Sequence, residues 1–185
     1  MGKIKDRIFL GIVTGVISSI PGRLLNACEY RAGLTEAKYG QLAANLFVDK
    51  KKADTMEGRV IGAIANGILT GVGGTFAVYL LSMTGRDKAA VKGMGIGLLL
   101  WLALFGLTPR AGVVERPRKP LTSLLGLIDH LIFGSLCGVI ASRLGDDSMF
   151  PDTGKQNRKE KLPLFSYSLE QEQGQFQEEQ DELPK

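Results

Sequence analysis

Polar and apolar residues are segregated into long blocks along this chain. Val60 to Met83 is 24 consecutive residues without a charge, and between Leu121 and Ser142 only Asp129 and His130 can ionise. Runs of about 18 or more apolar residues predict spanning helices, because roughly 20 residues rising about 1.5 Å each cover a hydrocarbon core about 30 Å thick. Residues 8 to 28 carry apolar stretches on both sides of Pro21-Gly22-Arg23. They are expected to form one kinked span, since proline is tolerated in a membrane helix when neighbours satisfy the freed carbonyl. A helix stopping at Ile20 would hold only 13 residues from Ile8 and would be a short or re-entrant segment. The block at 93–108, centred on GLLLWLALFGL with Trp101, supplies the remaining span. The predicted fold is therefore all-α, a bundle of four transmembrane helices at about 8–28, 60–83, 93–108 and 121–142.

The connections are polar. In the first, Tyr39, Leu42, Ala43, Leu46 and Phe47 fall on one face at helical spacing and predict an amphipathic helix over about 35–48. It would cap the bundle or lie on the lipid headgroups. The stretch Pro109 to Pro120, with Arg110, Arg116, Arg118 and Lys119, reads as a loop, and Pro120 marks the start of the last span. From residue 146 onward no apolar run appears. Residues 155 to 161 are basic, and residues 170 to 185 set six carboxylates against one lysine. Such a composition cannot bury enough apolar surface to offset its ordering entropy, so 146–185 is expected to be a disordered tail.

Bulk composition hides this organisation. With 23 Lys and Arg against 19 Asp and Glu and a mean hydropathy of +0.07, the averages are those of a soluble protein. The basic residues border the spans, where they set topology, so the partner implied is a lipid bilayer and no nucleic acid. Four spans put both termini on one side. Positive charges are nearly balanced between the two sides, and the basic start, Lys3, Lys5 and Arg7, assigns both ends to the cytoplasm of a multi-pass protein of the cell membrane. A basic start and short apolar core also describe a secretory signal, and Leu25-Asn26-Ala27-Cys28 loosely resembles a lipoprotein box. Arg23 interrupts the apolar core ahead of it and weighs against cleavage.

Helix rise places the polar residues of the spans at comparable depths. Counted from the side bearing the loops at 29–59 and 109–120, Asp129 lies about 12 Å down, Arg23 about 8 Å and Asn66 about 9 Å. Charges at such depth cost roughly 2.5 to 3.5 kcal/mol each on insertion scales and normally find partners inside the bundle. Arg23, Asn66, Asp129 and His130 are therefore the candidate polar cluster, with Arg23 expected to pair with Asp129. The cluster either holds helices in register or lines a pocket or proton site, His130 being able to titrate near neutrality. Neighbours on a helix point about 100° apart, so Asp129 and His130 are expected to serve different contacts.

Glycine makes up 24 of the 185 residues, and much of it recurs at four-residue spacing within the spans. Gly126, His130, Gly134 and Gly138 form one stripe; Gly62, Asn66 and Gly74 another, beside a row containing Gly67 and Gly71. Small residues at this spacing predict close helix contact, available to a homo-oligomer or a membrane-protein partner. His130 and Asn66 would sit within such seams, hydrogen-bonded as a clasp. No cofactor or metal is implied, because one histidine and two cysteines cannot build the usual structural zinc set and no HExxH, CxxC or P-loop pattern is present. A nucleophile would have to use His130 as its base, which makes an enzyme the poorer reading.

Gly62, Gly71 and Tyr79-Leu80-Leu81 in the second span, GIGLLLWLALFGLTP at 95–109 and HLIFGSLCG at 130–138 resemble the YqhR-like group of small bacterial membrane proteins over roughly residues 5 to 145. The resemblance implies four helices in a bacterial cytoplasmic membrane and carries over no catalytic residues. The function expected is that of a non-enzymatic structural or partner-binding component; the alternative is a small transporter with a polar intramembrane pocket.

Overall fold

The computed structural model describes residues 3–36, 38–112, 114 and 116–151. The tail expected beyond residue 151 lies outside the described residues. The chain is all-helical: α1 (Arg7–Arg31), α2 (Tyr39–Ala44), α3 (Met56–Thr84), α4 (Ala89–Trp101), a π-helical stretch (Leu102–Leu107) running into the short α5 (Thr108–Arg110), and α6 (Pro120–Leu144). Four helices, with α4 counted through Arg110, are long and apolar enough to cross a membrane. Their outward faces carry large apolar side chains such as Phe9, Ile20, Ile64, Phe76, Leu99 and Leu124, all exposed. Apart from Leu10, the buried face of α1 is instead small or polar: Gly11, Thr14, Gly15, Ser18, Ser19, Gly22 and Asn26. Apolar residues outside and small or polar ones inside is the distribution suited to lipid.

Helix α1 runs unbroken through Pro21, so the first segment does not stop at Ile20. Asp6 starts it by accepting a hydrogen bond from the Phe9 amide. The third span begins earlier than expected, at Ala89 rather than residue 93. The amphipathic helix expected over 35–48 is only six residues, Tyr39–Ala44. Because it ends there, Phe47 leaves the inward face and is exposed, while Ala43 and Ala44 are buried.

The bundle consists of two close antiparallel pairs. In the α1–α3 pair, a Cβ on Gly15 would fall 1.9 Å from the Thr70 carbonyl oxygen, and one on Gly74 would fall 2.2 Å from that of Gly11. In the α4–α6 pair, a Cβ on Gly93, Gly97 or Gly138 would meet the carbonyl of Gly134, His130 or Ala89 at 2.0 Å. Only a hydrogen fits at these crossings. Three glycines depart from the expected seams. Gly67 has nothing within 4 Å of its Cβ position, Gly62 abuts Gly40 of α2 instead of another span, and Gly126 accommodates the Phe105 ring. Gly71 makes ordinary contact with Ile12 at 3.7 Å.

At the end of the bundle that holds the amino terminus, the chain is latched. Ile4 bridges to Gly145, with its amide donating to Leu144 and its carbonyl accepting from Asp146, both at 2.9 Å. Asp147 accepts from Lys3 and, at 2.6 Å, from Arg86. Met149 and Phe150 then turn inward against Leu10, Val78, Leu81 and Ala141. Residues 146–151 therefore belong to the folded unit, which extends to Pro151 and past the boundary expected at 145. Two aromatic or thioether side chains with an apolar pocket in reach outweigh the local acidity of Asp146-Asp147.

Candidate functional site

At the opposite end, the described residues of the connections at 32–55 and 111–119 fold over the bundle. Glu36 accepts the Arg118 amide at 2.8 Å, and Lys119 Nζ donates to the Gly33 carbonyl at 2.8 Å. Beneath them lies a cavity of about 680 Å³, lined from α1, α3, the π-helical stretch, α6 and both connections. Arg23, Asn66, Asp129 and His130 all lie on its wall, on α1, α3 and α6. The four residues thus line one cavity, with Arg23 exposed, Asn66 and His130 half-buried and Asp129 almost wholly buried.

The pairings within it differ from those expected. Among the described residues no hydrogen bond or ion pair joins Arg23 to Asp129; Arg23 is exposed. Gly22 places its Cβ position 3.9 Å from the Asp129 carbonyl oxygen, so Arg23 stands close to the level of Asp129 without engaging it. The partner of Asp129 is Tyr39, whose phenol donates to Oδ2 at 2.7 Å. Tyr39 opens α2, and its own amide donates to Asn26 Oδ1 at 2.9 Å; Asn26 is also hydrogen-bonded to Glu29. Burial first, and then the bond to Asp129, pushes the Tyr39 phenol far above its ordinary range, so it remains a donor. Asp129 Oδ1 has no partner although the residue is only 3% exposed.

His130 does not clasp Asn66. Its Nδ1 donates to the Gly126 carbonyl one turn back, at 2.7 Å, and its ring is edge-on to Tyr39 and Phe105, with centroids 5.9 and 5.8 Å apart. Phe105 reaches this position because of Pro109. A proline has no N–H for the carbonyl four residues back, and its ring crowds that carbonyl. The turn ahead of Pro109 widens into the π-helical stretch, with Thr108 N–H bonding back to Ala103. Trp101 stacks on Phe105 at 6.4 Å and donates from Nε1 to the Ser123 carbonyl at 2.9 Å, tying α4 to α6.

Sequence reasoning missed Tyr39, Asn26 and Phe105 as members of the site. Tyr39 carried a signal, being the one hydrogen-bonding side chain on the inward face of the loop helix. Phe105 carried none beyond its place four residues before Pro109.

Fold and site together define an all-helical bundle of the multi-pass membrane type, with an amphipathic cavity near one end. No known protein family matches the chain, and no curated protein or solved structure is detectably similar to it.

Proposed function

We propose that this protein is a non-enzymatic binding component of a bacterial cytoplasmic membrane, both termini in the cytoplasm, that holds a small solute or amphiphile in the cavity between its helix pairs. The YqhR-like resemblance supports the bacterial setting, and the basic amino terminus supports the orientation. The observation that carries the reading is the placement of Arg23, Asn66, Asp129 and His130 on the wall of one cavity of about 680 Å³. This volume falls in the range of roughly 300 to 1,000 Å³ typical of ligand pockets. A cluster that served only to hold helices in register would satisfy its polar groups against one another, whereas Arg23 and Asp129 stand near one level unpaired. Binding suits the site better than catalysis, because among the described residues no hydroxyl or thiol nucleophile is seen hydrogen-bonded to His130, whose Nδ1 donates to the Gly126 carbonyl and whose ring stands perpendicular to those of Tyr39 and Phe105.

Filling the cavity tests this. Ala103→Phe, on its wall, is expected to insert and unfold like the wild type while losing the small molecules that mass spectrometry detects after denaturing the protein from nanodiscs. A filled variant that retains them, or a wild type that carries none, would contradict the reading.

A further inference from the structure

We infer that the cavity is open sideways to the bilayer, between α3 and the π-helical stretch, and takes in an acyl chain of a membrane phospholipid whose phosphate stays among the arginines at its rim. The inference rests on the binding reading above and names its ligand class. Two wall residues carry it. Val72 stands four residues from both Ile68 and Phe76, and Ala103 four residues from both Leu99 and Leu107. Those four neighbours are more than half exposed and belong to the outward faces of their helices. Val72 is itself nearly half-exposed, yet it lines the cavity, and so does Ala103. A residue that shares its face with lipid-facing neighbours and also lines the cavity marks where the cavity opens into the bilayer. Deeper in the bundle the gap is shut, where the Cβ position of Gly73 falls 2.9 Å from Leu100 Cδ1 and 3.2 Å from Phe133 Cε1.

The wall suits a chain with a phosphate at one end. Its depth is apolar, lined by Leu69, Val72, Leu100, Leu104 and Phe105, and on α6 it runs from Thr122 to Phe133, about 16 Å of helix. Towards the loops it turns polar, where Arg23, Arg116 and Arg118 line it and are all exposed. Glu36 and Asp49 share that rim, and Glu36 already accepts the Arg118 amide. Guanidinium groups offer forked N–H donors that match phosphate oxygens. An apolar depth reached from the side and a rim rich in arginine follow the order of chain and headgroup in the leaflet outside.

The test uses the full chain in phosphatidylcholine liposomes doped with a phosphatidylglycerol that carries a diazirine at the end of one acyl chain. After irradiation, adducts are located residue by residue in tandem mass spectrometry. They are expected at His130 or Phe133 on the cavity wall, as well as at the lipid-facing Leu99. Val72→Trp is expected to abolish the wall adducts and keep those at Leu99, while a short diazirine-bearing alkyl phosphate added from water still labels the wall. A diacylglycerol with the same diazirine chain and no phosphate is expected to label the wall about tenfold less, and replacing Arg23, Arg116 and Arg118 together by Gln to erase that difference. Should Val72→Trp fail to insert, Val72→Phe replaces it. Lipid adducts confined to outward residues, wall adducts unchanged in the Val72 variant, or equal labelling by the two lipids would overturn the inference. The water-borne probe separates the two levels: a wall labelled from water and not from lipid sinks the phospholipid alone, and a wall that neither probe labels sinks the binding reading as well.

Discussion

The Tyr39 hydroxyl donates to Asp129 Oδ2 at 2.7 Å, joining a six-residue loop helix to the middle of the last span. It is the one hydrogen bond that a carboxyl oxygen of Asp129 receives among the described residues. Tyr39→Phe therefore leaves both oxygens of a buried carboxyl group without a donor, and about 1 to 3 kcal/mol of stability is expected to be lost. Thermal unfolding in detergent or nanodiscs measures it. An unchanged midpoint would show that the bond holds nothing in place.

The glycine crossings predict a sharp contrast within one residue type. Gly93→Ala and Gly138→Ala push a methyl to 2.0 Å from a facing carbonyl, which the helices relieve only by moving apart, at a cost of about 1 to 3 kcal/mol. Gly67→Ala, with nothing within 4 Å, is expected to stay within about 0.5 kcal/mol of the wild type. Chemical denaturation of the three variants tests the order.

Four spans, their limits to within a few residues and the gathering of four polar residues in one half of the bundle could be read from the sequence, because a bilayer fixes helix length and antiparallel order fixes depth. Partner choice could not. Arg23 and Asp129 have opposite charges at similar depths, yet the hydrogen bond to Asp129 comes from Tyr39 of α2, a helix that packs on α3 where Gly40 meets Gly62. Likewise, stripes of small residues mark a seam without saying what fills it. Gly126 lies in register with Gly134 and Gly138, yet it faces an aromatic ring that a proline four residues farther on has redirected.

That redirection is testable. Pro109→Ala restores the missing N–H, and the stretch Leu102–Leu107 is expected to tighten toward α-helix, withdrawing Phe105 from Gly126 and His130. The Trp101 emission maximum should shift as its stacking partner moves. Emission identical to the wild type would mean that the widened turn has another cause.

The latch at the other end carries a pH signature. Hydrogen bonds from Lys3 and then Arg86 hold the Asp147 carboxyl below its ordinary value of 3.8. A depressed folded-state pKa stabilises above the unfolded value and ceases to do so as pH falls through the folded one. The wild type should therefore melt above Asp147→Asn at pH 7, and the gap should close as the medium is acidified below pH 3.8. A gap independent of pH would place the effect elsewhere.

The central claim is that the polar cluster surrounds an open cavity. A single cysteine at Asn66, in a chain with Cys28 and Cys137 replaced by serine and alanine, tests it most directly when treated in intact membranes with a membrane-impermeant thiol reagent. Labelling from one side is predicted at position 66, with none at the buried Ala65→Cys control until the protein is unfolded. Protection at both positions alike would contradict the account and return the cluster to a closed helix seam.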